Sequence, residues 1–133
     1  MKNSLPVPLE ATEQEQLFQI ATLHYNRYPE LELMYAIPNG GSRHLLEAVN
    51  LKKQGVKPGV PDVCLPVPRG GFAALYIEMK RIRGGKASDE QKDWVSRLKG
   101  AGNAAFVCKG CEEAWKIIQD YIHERLVVQY DRV

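Results

Sequence analysis

Long apolar runs are missing from this 133-residue chain, and none approaches the roughly 20 residues that a membrane-spanning helix requires. The opening Met1-Lys2-Asn3-Ser4-Leu5-Pro6 lacks the apolar stretch of a secretory signal, so a cytoplasmic location is expected. Cysteine is scarce and odd in number. Cys64, Cys108 and Cys111 exclude a disulfide framework, and Cys108-x-x-Cys111 has no second pair at zinc-ligand spacing. These cysteines read as small buried hydrophobes in a reducing compartment. The three histidines, His24, His44 and His123, are scattered without ligand spacing and read as surface or packing residues. There is no P-loop, no dinucleotide fingerprint and no Gly-x-Ser-x-Gly elbow, which removes the nucleotide-binding and serine-hydrolase classes those motifs mark. Nor is there a large excess of one charge. A net charge of +2 is too mild to mark a nucleic-acid binder on its own.

What is present is the pattern of one mixed α/β domain. A leader over residues 1–11, a single domain over 12–125 and a tail over 126–133 are expected. Thr12 and Glu15 suit a capping box opening a helix through about Tyr28, where Pro29 stops it. Leu33–Ile37 reads as a strand ended by Pro38-Asn39-Gly40-Gly41, and residues 43–54 as a helix closed by Gly55. Two strands, Val63–Val67 and Ala73–Met79, joined by Pro68-Arg69-Gly70-Gly71, suit a hairpin. A helix opened by Ser88, with Trp94 in the core, a strand over Ala104–Cys108 and a helix from about Glu112 complete the order. Val127 and Val128 add a last strand or a tail. The order α-β-α-β-β-α-β-α predicts a central mixed sheet flanked by helices.

The most informative residues are Pro61-Asp62 and, at the end of the following strand, Glu78-Met79-Lys80. Two carboxylates on neighbouring strands can hold a hard divalent cation through oxygen. Side chains alternate along a strand, so Tyr76, Glu78 and Lys80 share a face, with an ammonium beside the acids. That set suits metal-assisted phosphodiester hydrolysis. The blander readings are a turn aspartate at position 62 and a solvated face carrying a Glu–Lys pair. On the first helix, Glu13 is in phase with Leu17, Ile20 and His24, whereas Glu15 completes the capping box. Periodicity does not choose between them as a further acid. Lys80, Arg81, Arg83 and Lys86 cluster after the acids, and Arg43, Lys52, Lys53 and Lys57 precede them.

Ile37-Pro-Asn-Gly-Gly-Ser-Arg43, Gly55-Val-Lys-Pro-Gly-Val-Pro-Asp62, Tyr76-Ile-Glu-Met-Lys80 and Ser88-x-x-Gln91-x-x-Trp94 occur in that order. Together they resemble the virus-type replication-repair nuclease (VRR-NUC) domain of the PD-(D/E)xK nuclease superfamily, especially the small stand-alone versions of phages and prophages. The resemblance covers roughly residues 12–122. It implies a restriction-endonuclease-like core, dependence on Mg2+ with Mn2+ as a substitute, and DNA as substrate. It also implies structure-selective cutting of branched DNA, as by a Holliday-junction resolvase, a homodimeric state and, for a phage-encoded copy, a bacterial host cytoplasm. Carried onto this chain, Asp62, Glu78 and the Met79 carbonyl would be metal ligands and Lys80 would activate water. Gln91 matches the family's helix glutamine, and the helix-one acid falls on Glu13 or Glu15. Asn39, Gly40, Arg43, Lys57, Arg81, Arg83 and Lys86 would contact nucleic acid. The competing classes are a non-catalytic DNA-binding or assembly module of the same fold and a sequence-specific restriction enzyme.

Overall fold

Helix α1 (Glu10–Leu23) begins two residues ahead of the expected Thr12 cap, with Leu9 at the N-cap and no side-chain cap. Glu10 and Glu13 occupy its first turn, where carboxylates favour the positive end of the helix dipole. Its buried stripe is narrow: Glu13, Leu17 and Ala21, each one turn after the last. The helix stops at Leu23 instead of reaching Tyr28. The His24 ring bonds the Ile20 carbonyl (2.7 Å), and the His24 backbone N–H falls back to the Ala21 carbonyl (3.0 Å). The side chain thus takes the acceptor that the next helical turn needs. A 3-10 turn over Pro29–Leu33 follows, which shortens the expected strand to β1 (Tyr35–Ala36).

The computed structural model describes residues 6–38 and 45–126. After β1 come α2 (Leu45–Lys53), β2 (Val63–Leu65), β3 (Leu75–Lys80), α3 (Asp89–Gly100), β4 (Ala104–Lys109) and α4 (Cys111–Ile122). This is the predicted order. The sheet runs β1-β2-β3-β4, antiparallel across the first two pairs and parallel between β3 and β4. Helix α3 supplies the crossover that a parallel pair requires. Its capping box is as the sequence predicts: the Ser88 hydroxyl accepts the Gln91 N–H, and the Gln91 amide oxygen accepts the Ser88 N–H. Trp94 departs from expectation. It is half-buried and lines a groove of about 540 Å³ with Lys57, Glu90, Asp93 and Arg97.

Alternation divides β3. Leu75, Ile77 and Met79 join Val63 and Leu65 in a core closed by Leu17 and Ala21 of α1 and by Ala114, Ile118 and Tyr121 of α4. The buried Tyr121 hydroxyl is satisfied by the Val67 carbonyl at 2.6 Å. Cys64, Cys108 and Cys111 are all buried and free. Burial pushes the Cys108 thiol up to about 12 and the Cys111 thiol upward as well, which opposes thiolate ligation or redox chemistry. Among the described residues no helix is long and apolar enough to cross a membrane.

Candidate active site at the end of the β2–β3 hairpin

The hairpin register pairs Val63 with Ile77, and one step further it sets Asp62 across from Glu78. The two acids therefore face each other across the hairpin. A second step sets Pro61 across from Met79. Proline has no N–H, so the ladder offers no donor to the Met79 carbonyl. The Met79 N–H goes instead to Asp62 Oδ2 at 2.7 Å. Proline before aspartate thus has a structural consequence: it withholds the ladder N–H from a strand carbonyl beside two carboxylates.

Glu78 is only 2% exposed, and its Oε1 is buried without a hydrogen-bond partner. Burial first, then the hydrogen bond and charge of Asp62, push its carboxyl up to about 9, against the lowering effect of Lys80. At neutral pH, without a cation, Glu78 therefore keeps its proton. An orphaned buried oxygen on a carboxyl held this far from its ordinary value is costly unless something positive occupies the site. The solvated-face reading of Glu78 and Lys80 does not hold, because Lys80 is itself only 7% exposed.

Lys80 Nζ stands 3.7 Å from Glu78 Oε2 and 3.6 Å from Glu10 Oε1. Glu10 is the acid that sequence reasoning missed. It falls in the stretch expected to be leader, and only the early start of α1 carries it to the site. Glu13, one turn on, is buried and does something else. Its Oε2 accepts the backbone N–H of Cys111, the first residue of α4, where Gly110 at the N-cap offers no side chain. A Cβ on Gly110 would lie 2.7 Å from Ile82 Cγ1 and 3.0 Å from that same oxygen, so glycine makes room for both side chains. The Gly110 N–H in turn bonds the Lys80 carbonyl at 3.0 Å. Glu10 thus meets the Lys80 ammonium directly, while Glu13 holds the junction whose Gly110 N–H bonds the Lys80 carbonyl. Glu15 is exposed and lies with Ala11, Gln14 and Phe18, in a separate surface depression.

The remaining predicted residues are dispersed. The Gln91 amide oxygen is committed to the capping box, leaving only its NH2 end to donate elsewhere. The Arg81 guanidinium donates to the Val7 carbonyl at 3.1 Å while its Nε is buried without a partner, so it turns inward. Arg83 and Lys86 are exposed just beyond β3, and Lys57 is exposed along the α3 groove. Asn39, Gly40, Arg43, His44, Val127 and Val128 lie outside the described residues.

Among the described residues no group of three or more His, Cys, Asp and Glu side chains converges as a metal cage. The acid pair with one backbone carbonyl is instead a small all-oxygen donor set. That fits a hard cation which keeps several waters, and not a zinc site built on nitrogen and sulfur.

The model of the VRR-NUC domain matches residues 4–112. A solved structure described as a VRR_NUC domain protein superposes with a TM-score of 0.77 at 27% identity, over 90% of this chain and 92% of that one. No curated protein matches the sequence.

Proposed function

Because the chain belongs to the VRR-NUC domain family and carries its nuclease-type fold, we propose that it hydrolyses DNA phosphodiester bonds at Asp62 and Glu78 with the help of Mg2+, for which Mn2+ can substitute. The observation that carries this reading is the orphaned Glu78 oxygen on the side chain set across from Asp62, beside a carbonyl to which Pro61 offers no N–H. Asp62, Glu78 and the Met79 carbonyl would hold the cation. When bound, it supplies charge neutralisation at the phosphate and a more acidic water.

The chain's own residues divide the remaining work. Lys80, fixed by Glu10 and by the backbone at Gly110, keeps its ammonium at the acid pair and orients the attacking water. Glu13 fixes the β4–α4 junction on which that backbone bond depends. Exposed Arg83 and Lys86, with Lys57 further off, grip flanking phosphates and so position DNA without reading bases. Gln91 donates from its free NH2 end. Branched DNA is the proposed substrate, cut by a homodimer with one site per arm, as the resemblance to the stand-alone members implies.

A cleavage assay on four-way junctions, flaps and linear duplexes, with Mg2+, Mn2+ or a chelator, tests the proposal. Cutting of the branched substrates, abolished by the chelator and by Asp62→Asn, is the expected result. Cutting that survives Asp62→Asn would refute it.

A further inference from the structure

The face of the sheet that bears the acids carries two parallel cross-strand rows. One is Ile37, Asp62 and Glu78; the next is Tyr35, Cys64 and Tyr76. Residues two apart on a strand lie about 7 Å from each other, and neighbouring strands about 5 Å. Two phenol side chains are therefore rooted about 10 Å apart, on either side of a small thiol, one row from the acid pair. Cys64 is only 1% exposed, whereas Tyr35 is 49% exposed and Tyr76 partly so. The register seats a tyrosine on either side of Cys64 in this row, and the thiol is buried between them. Among the described residues neither ring packs against another aromatic ring.

A tyrosine whose ring remains open to solvent is a stacking surface. Every base has a π-face, and stacking on aromatic rings tolerates any sequence. A base within a duplex already uses that face on its neighbours. We infer that Tyr35 and Tyr76 form a stacking platform for an unpaired nucleotide beside the scissile phosphate, which makes the substrate DNA with unpaired bases at the point of cutting. This rests on the hydrolytic reading above and narrows its substrate class.

The test measures DNA binding in an Asp62→Asn background, where no cutting intervenes, on two oligonucleotides of equal length. One is a fork with 2-aminopurine in its unpaired arm at the junction; the other is fully paired. Tyr35→Ala should weaken fork binding about tenfold and abolish the quenching of 2-aminopurine, with the paired duplex nearly unaffected. Tyr35→Phe should restore both. Equal losses on the two DNAs, or no loss on the fork, overturn the inference. Position 35 is at an exposed edge, and Tyr76→Phe provides a second variant that keeps the ring. Cleavage of the fork by the unmutated protein reports on hydrolysis separately. Tyr35-dependent binding without cutting would refute the nuclease proposal and leave the platform standing.

Discussion

Glu78 concentrates the chemistry at the scale of single residues. Its carboxyl, pushed from an ordinary 4.5 up to about 9, binds a proton in the folded protein over a range where the unfolded chain has released it. Where the folded state holds more protons, stability falls as pH rises. The cation-free protein should therefore lose thermal stability between about pH 4.5 and pH 9, and Glu78→Gln should flatten that slope. Melting curves across this window check it; an unchanged slope in Glu78→Gln would contradict it. Cation binding competes with the same proton, so affinity should rise with pH over the same window, as titration calorimetry would detect. The sequence announced Glu78 and Lys80 through the carboxylate-x-lysine spacing. It did not announce their burial, because a polar face reads alike whether it meets water or a closed site. Glu10 was illegible for a different reason: α1 opens without a side-chain cap, so nothing in residues 6–11 marks its start.

Elements decide where those side chains go. Register alone turns Pro61-Asp62 and Glu78-Met79 into a site, by placing acid against acid and proline against a strand carbonyl. Pro61→Ala would return an N–H to that position and let it bond the Met79 carbonyl. We expect weaker Mn2+ binding with little change in fold, read by calorimetry and circular dichroism; unchanged affinity would show that the carbonyl takes no part. The first turn of α1 separates two roles. Glu13→Gln should destabilise the protein by about 1–3 kcal/mol, because a buried carboxylate receiving an α4 N–H is replaced by an uncharged acceptor. Glu10→Gln, half-exposed at its salt bridge to Lys80, should leave stability nearly unchanged and lower turnover instead. Denaturant unfolding beside steady-state cleavage separates the two, and the reverse pattern would exchange the roles. The capping box at Ser88 and the β2–β3 hairpin were legible because local chemistry writes them. The end of α1 was not, since the His24 ring competes with the backbone for Ile20.

Across the whole molecule, a nearly balanced charge leaves DNA affinity to local clusters. Exposed Lys52, Lys53, Lys57, Arg83 and Lys86 lie on both sides of the acid pair in the chain. Affinity should fall steeply with salt, with a log–log slope that counts neutralised phosphates. Arg83→Ala with Lys86→Ala should make that slope shallower by about two, while Arg81→Ala, whose guanidinium turns to Val7, should change it least. The α/β order, strand by strand, was readable from hydrophobic period and turn chemistry, because each element agrees with its own local preference. The meeting of α1 with the far end of β3 was not, since it is a tertiary contact between segments with no local signature.

The most direct test is anomalous diffraction from crystals of the protein soaked in Mn2+. A single strong peak lying between the Asp62 and Glu78 carboxylates and the Met79 carbonyl is the predicted result. Saturating Mn2+ with no density there, or a peak bound by other residues alone, would contradict the account.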